Sequence, residues 1–160
     1  NFGIEESRSG FIMAINALMV VFFQVVVVKR TKKFQPLKIL TAGALFYALG
    51  VGSIALGRSV PAFALSMVVV TTGELLLIPT STSLAASLAP MDMRGRYMSV
   101  YWLSWSISHG LGPVVGGLLN DLIAPRAIWI GGFCWAILSM AVFLDLFKKS
   151  QAALSSEEME

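Results

Sequence analysis

Five long apolar runs divide the chain. They cover residues 11–28, 39–57, 62–88, 97–120 and 127–147, and apart from Asp145 near the end of the fifth run their only Asp, Glu, Lys or Arg is Glu74. A helix needs about 20 apolar residues to cross a bilayer core about 30 Å thick. A helix also satisfies its own backbone hydrogen bonds in lipid. The pattern therefore predicts an all-α, polytopic membrane protein with five transmembrane helices.

The connectors between these runs are short and unevenly charged. Three basic residues, Arg8, Arg58 and Arg126, fall at one end of the predicted bundle. The other end carries nine: Lys29, Arg30, Lys32, Lys33, Lys38, Arg94, Arg96, Lys148 and Lys149. Cytoplasmic connectors carry an excess of Lys and Arg, so we expect the second group and the C-terminus in the cytoplasm of a cell whose plasma or inner membrane holds the protein. Residues 148–160 predict a polar, disordered cytoplasmic tail.

Composition agrees with a membrane location and limits the chemistry. Apolar residues make up 56% of the chain and charged residues 13%, against about 45–50% and about 25% in soluble domains. The single cysteine, Cys134, and the single histidine lie in different runs, and no hydrolase, metalloprotease or phosphate-binding motif is present. We therefore expect no enzyme activity, no cofactor and no metal site. Basic connectors can bind nucleic acid, but beside a membrane span such charge ordinarily sets topology, so no nucleic-acid partner is expected.

The sequence from Ala89 to Asp121 is the most distinctive part of the chain. It reads APMDMRGRYM before the fourth run and HGLGPVVGGLLND at its end. This resembles the loop between helices ten and eleven, and helix eleven, of the major facilitator superfamily, and drug-efflux members carry a similar run. The whole chain then resembles helices eight to twelve of a twelve-helix transporter. The resemblance implies a fragment whose partners are the lipid bilayer, the N-terminal half of the same transporter, a small-molecule substrate and protons.

Two ionisable side chains stand out inside the runs. Glu74 lies about 18 Å along its run from Ala62, and His109 about 20 Å from Arg96, so both are expected near mid-membrane. Ionisable groups at that depth usually face a cavity or a partner. Glu74 could carry a proton, pair with a cationic substrate, or only hold the fold. Imidazole ordinarily changes charge near neutral pH, so His109 could relay protons with Glu74, or it could be packed as a neutral ring.

Other residues could line a pathway or shape a helix. Asn16 and Gln24 in the first run could line a polar path or bond between helices. Trp105 could stack on an aromatic or cationic ligand, but tryptophans more commonly face lipid or pack in the core. Further polar atoms come from Thr71, Thr72, Thr80, Ser81, Thr82 and Ser83. In the fourth run, Gly112 and Gly116 share one helical face, Gly117 adjoins it, and Pro113 would kink the helix. This group predicts either a hinge or static close packing.

The sequence thus predicts a secondary active transporter that exports small amphipathic compounds by proton exchange. The export direction and substrate class are implied by the resemblance to efflux members. Two alternatives remain open: an uptake transporter for a sugar, peptide or organic anion, and a non-transporting membrane subunit. Because the pathway of such transporters lies between two halves, the chain by itself is not expected to transport.

Overall fold

Five α-helices make up the fold. The computed structural model describes residues 6–157, with side chains from residue 10 onward except 154 and 157. The helices are α1 (Glu6–Thr31), α2 (Pro36–Leu56), α3 (Val60–Leu88), α4 (Arg94–Leu122) and α5 (Ala127–Glu157). No strand occurs within residues 6–157. The all-α fold class is confirmed, and the helices cover the five apolar runs.

Proline, glycine and serine set the helix boundaries. Pro36 opens α2, where the missing N–H of proline costs nothing. Gly57 ends α2, and its backbone N–H donates to the Ile54 carbonyl at 3.1 Å. Two residues later Ser59 caps α3, and its hydroxyl accepts the Ala62 N–H at 3.4 Å. The turn between α2 and α3 is therefore only three residues long, which places the two helices side by side and antiparallel.

The packing centres on α2. This helix packs extensively against α3 and α5, and α1 lies on α3, whereas α4 touches α3 and α5 only lightly. Leu40, Ala44, Ala48, Val51 and Ala55 form the buried face of α2. In contrast, α4 has no buried residue. Large apolar side chains such as Val21 (71% exposed) and Leu56 (81% exposed) face outward, which suits a surface solvated by lipid.

Four of the five helices are long and apolar enough to cross a membrane among the residues described: α1 from Gly10, α2, α3 and α5 as far as Ala153. The fourth helix has sufficient length at 29 residues, but its serines, His109 and the arginines of its first turn make it more polar. That α4 also spans the bilayer stays a prediction.

The expectation of a disordered tail is wrong for residues 148–157. The fifth helix continues without interruption to Glu157. No proline or glycine follows Phe147 to stop it, and Lys, Gln, Ala, Leu and Glu are good helix formers. Residues 158–160 lie outside the described part of the chain.

Candidate functional site

Glu74 lies at the middle of α3 and binds α1. It is 14 residues after Val60 and 14 before Leu88, about 21 Å from each end of the helix. Its Oε2 accepts a hydrogen bond of 2.7 Å from the Asn16 side-chain amide. That amide also donates to the Thr71 hydroxyl at 2.9 Å. We call Asn16, Thr71 and Glu74 the Glu74 cluster, and it brings together three side chains that the sequence analysis named.

The two oxygens of the Glu74 carboxyl differ in their surroundings. Oε2 is held by Asn16, whereas Oε1 has no hydrogen-bond partner in the part of the chain described. Glu74 is only half-buried, and no fully buried side-chain oxygen lacks a partner among the described residues. Oε1 is therefore accessible, so it can take up a proton or contact a cation. No basic side chain forms an ion pair with Glu74 within the described residues.

Tyr47 of α2 connects the neighbourhood of Glu74 to a cavity. The helix backbones are very close here: a Cβ built at Gly73 would lie 2.6 Å from the Tyr47 backbone nitrogen and 2.8 Å from the Gly43 oxygen. Tyr47 is half-buried, and its backbone lies against Gly73, the residue before Glu74. It also lines a cavity of about 670 Å³ between α2, α3, α4 and α5.

Trp105 and His109 line this same cavity from α4. Their rings stack with centroids 5.6 Å apart and planes at 23°, and His109 Nδ1 lies 2.9 Å from the Trp105 carbonyl oxygen. Trp135 and Phe143 of α5 add aromatic walls, and Ser81, Ser104, Ser108 and Ser139 add hydroxyls. The cavity could therefore hold an amphipathic ring system. His109 is exposed to it rather than packed in a glycine-rich interior, and no hydrogen bond joins His109 to Glu74.

Two prolines inside helices lie four or five residues after the ionisable side chains. Pro79 of α3 and Pro113 of α4 each lack the N–H that would bond the carbonyl four residues earlier. Those carbonyls belong to Leu75, next to Glu74, and to His109 itself. Each proline thus leaves one backbone carbonyl oxygen at or beside a candidate residue without its helical N–H partner. These two oxygens are free to accept hydrogen bonds, unlike the other carbonyls in the interior of a helix.

The remaining sequence-predicted residues lie apart from these groups. Gln24 is half-buried and follows Asn16 by eight residues, about 12 Å along α1, with no hydrogen-bond partner in the described chain. A Cβ at Gly112 or Gly117 would have no neighbour within 4 Å, and at Gly116 the nearest atom is Ile128 Cγ2 at 3.9 Å. The predicted close packing is therefore not formed by these glycines within the described residues. A hinge at Gly112, Pro113, Gly116 and Gly117 stays a prediction.

Sequence reasoning did not single out Tyr47 or Tyr101. The Tyr101 hydroxyl lies 2.9 Å from Ser81 Oγ and 3.1 Å from Thr82 Oγ1, so it joins α4 to α3. Each tyrosine places a polar hydroxyl in an apolar run, and an isolated polar group of this kind is also what pointed to Asn16. The indication is weaker for tyrosine, because its large aromatic ring by itself accounts for a place in lipid or at the interface.

Comparison with known proteins identifies the family. The model of the Major Facilitator Superfamily matches residues 1–159. An MFS-type transporter of Escherichia coli K12, YdeE, is 30% identical over 126 residues, which is 78% of this chain and 32% of that protein. YhjO of Bacillus subtilis 168, also an MFS-type transporter, is 33% identical over 66% of this chain and 26% of its own length.

A third relative carries a functional name. A Na⁺, Li⁺, K⁺/H⁺ antiporter of Planococcus maritimus is 26% identical over 141 residues, or 88% of this chain and 31% of that protein. No solved structure matches the chain. The chain spans about a third of the length of these curated relatives. The resemblance found in the sequence is confirmed: the chain belongs to the major facilitator superfamily.

Proposed function

We propose that the full-length protein is a secondary active transporter that exports small amphipathic compounds in exchange for protons, with Glu74 as the proton-carrying group. The observation that carries the proposal is the Glu74 carboxyl at the centre of α3, with one oxygen held by Asn16 and the other accessible. An ionisable group at this depth is costly to insert and is usually functional. Family membership supports gradient-driven transport as the context.

The bond between Asn16 and Glu74 also suggests how proton binding is coupled to movement. It joins α1 to α3, and α1 makes its main contacts with α3. In this proposal α1 shifts against α3 during the transport cycle, and the shift changes the hydrogen-bond partner of the carboxylate. Proton uptake at Oε1 and rearrangement of the two helices then influence each other, because each alters the hydrogen bonding of the same carboxyl.

The proposal is tested with the full-length protein in everted membrane vesicles that hold a respiration-driven pH gradient. Ethidium, an aromatic amphipathic cation, is added, and a pH-sensitive dye reports proton movement. Wild type is expected to dissipate the gradient, and Glu74→Gln to leave it intact at equal membrane abundance. Asp145→Asn is the matched control, because it removes an exposed carboxylate that pairs with Lys149 at 2.8 Å. Normal dissipation by Glu74→Gln overturns the role of Glu74.

A second candidate is exchange of monovalent cations for protons. It is favoured by the antiporter relative, which aligns with 88% of this chain. The oxygens near Glu74 suit it chemically, because carboxylate, hydroxyl and freed carbonyl groups are the ligands that hard cations prefer. In the same vesicles, Na⁺, Li⁺ or K⁺ would then dissipate the gradient and ethidium would not.

Two further alternatives give other results in the same assay. An uptake transporter for a sugar, peptide or organic anion carries its substrate with protons, so adding substrate to everted vesicles does not release protons from the lumen by exchange. A membrane subunit without transport activity gives no response to any compound. We further propose that the basic end of the bundle lies in the cytoplasm and the protein in the cell membrane, as the distribution of basic residues favours.

A further inference from the structure

A groove opens at the end of the bundle where α2 begins and α3 ends, beside residues 146–150 of α5. Its volume is about 550 Å³, within the range of about 300–1,000 Å³ typical of small-molecule sites. Leu37, Leu84, Leu88, Leu146 and Phe147 form its apolar walls, and Gln35, Lys149 and Ser150 line its polar side. One end of the groove is therefore apolar and the other polar and cationic.

The groove lies at the depth where lipid headgroups meet acyl chains. Leu146 comes 19 residues after Ala127, about 28 Å along α5, so it is near the far boundary of a hydrocarbon core about 30 Å thick. Leu84 comes four residues before the end of α3. Leu146 and Leu84 thus lie on the hydrocarbon side of this boundary, and Lys149 and Ser150, which follow Leu146 along α5, lie on the headgroup side.

Positive charge dominates this end of the molecule. The described side chains include nine basic residues here, named above, against two acidic residues, Asp92 and Asp145, and the sequence adds three glutamates after Ser156. The ammonium of Lys38 lies 5.1 Å from the centroid of the Phe147 ring, which forms a wall of the groove. Lys149 pairs with Asp145, but their side chains are 73% and 58% exposed, and such surface pairs are weak. A phosphate can therefore compete for Lys149.

The start of α2 adds to the cationic side. Gln35 and Pro36 line the groove there, and no side chain caps this helix end. The partial positive charge of a helix N-terminus favours an anion. It contributes here together with two lysines and an apolar wall rather than as a site of its own.

We propose that this groove binds one anionic phospholipid, with an acyl chain against Leu84, Leu88 and Leu146 and the phosphate beside Lys38 and Lys149. Charge complementarity and the apolar walls at the correct depth both favour this ligand over a zwitterionic lipid. Basic pockets between transmembrane helices commonly bind acidic headgroups. The site is independent of the proposed transport chemistry, because it contains neither Glu74 nor any residue of the cavity beside His109.

The test is native mass spectrometry of the full-length protein, titrated in detergent with phosphatidylglycerol or with phosphatidylcholine of the same acyl chains. Wild type is expected to retain phosphatidylglycerol preferentially. The double variant Lys38→Gln/Lys149→Gln is expected to bind it about tenfold or more weakly, since each basic residue near an anionic headgroup contributes appreciably. The matched control Arg58→Gln/Arg126→Gln removes two charges from the opposite end and should bind as wild type.

A groove-filling variant separates a built site from general charge attraction. Leu146→Trp keeps every charge but occupies the space of the acyl chain, so it is expected to lose phosphatidylglycerol binding. Thermal unfolding without lipid identifies any variant that is simply misfolded, and Leu146→Phe then replaces it. Equal retention of the two lipids by wild type overturns the proposal, as does unchanged binding by either the double-lysine or the groove-filling variant.

Discussion

Asn16 and Gln24 show how one sequence signal leads to two different structural outcomes. Each is an amide side chain in the apolar run of α1. Asn16 uses both of its N–H groups on α3, toward Thr71 and Glu74, whereas Gln24 bonds to nothing in the described chain. Thr71 is completely buried, so the donor from Asn16 satisfies an oxygen that lipid and water do not reach. The two amides differ in their hydrogen bonding only because of the way α1 lies on α3, which the sequence of α1 does not specify.

Replacing Asn16 by leucine is therefore expected to destabilise the protein more than the same change at Gln24. Hydrogen bonds between transmembrane helices contribute about 0.6 kcal/mol on average and up to about 1.7 kcal/mol, and Asn16→Leu removes two. We expect a loss of about 1–2 kcal/mol for Asn16→Leu and little change for Gln24→Leu. Thermal unfolding of the full-length variants in detergent measures both, and equal effects would contradict the assigned bonds.

A close contact between α2 and α3 depends on glycine. A Cβ at Gly50 would lie 2.6 Å from the Val70 backbone nitrogen, and one at Gly43 would lie 2.9 Å from Leu77 Cγ. With Gly73 on the facing helix, these glycines let the two backbones approach as small residues do in membranes. This contact positions Tyr47 beside Glu74, so the packing of α2 and α3 supports the candidate site.

Adding one methyl group at Gly73 is expected to force α2 and α3 apart. The clash is with the backbone of Tyr47 and Gly43, which cannot move aside as a flexible side chain can. Overpacking of this kind costs about 1–3 kcal/mol, so Gly73→Ala should lower the unfolding temperature clearly. Gly95→Ala is the control, because nothing lies within 4 Å of its Cβ position. Equal stability of the two variants would show that the helices are not in this contact.

The sequence predicts the helices better than it predicts their contacts. Long apolar runs locate every helix, because a helix must be apolar over the thickness of the bilayer whichever helices lie beside it. The glycine-rich face of α4 looks more like a contact surface than the dispersed Gly43, Gly50 and Gly73, yet the dispersed set forms the contact. Spacing along one helix cannot tell which helix lies opposite, and Gly73 acquires its role only from α2. The helical extension to Glu157 is not predicted, because the polar residues after Phe147 are also typical of disorder. Polar residues indicate exposure to water, and an exposed segment can still be helical.

Across the whole molecule, the basic residues are concentrated at one end. That end includes the start of α2, the end of α3 and residues 146–150 of α5, which the structure brings together around one groove. The Glu74 cluster lies between the ends, at the centre of α3. A carboxyl at that depth suits proton transfer across a bilayer, and the uneven distribution of basic residues suits one fixed orientation.

Fusions to reporter proteins test this orientation. Green fluorescent protein placed after Glu160 is expected to fluoresce, because it folds in the cytoplasm, and alkaline phosphatase at the same place should be inactive. The same reporters in the connector between α4 and α5, after Pro125, should give the reverse pattern, because that connector lies at the opposite end. An active phosphatase after Glu160 would contradict the assignment of the basic end to the cytoplasm.

The central claim is that Glu74 carries the coupled proton, and counterflow in proteoliposomes tests it most directly. Full-length wild type and Glu74→Gln are reconstituted, and the entry of labelled ethidium into the vesicles is measured in two assays. The first applies a pH gradient across the membrane. The second has no gradient and contains unlabelled ethidium inside the vesicles, so that only exchange is measured. Glu74→Gln should exchange the compound at nearly the wild-type rate but fail to accumulate it against a gradient, because binding remains and proton coupling is lost. Accumulation driven by the pH gradient at the wild-type level in Glu74→Gln would contradict the account.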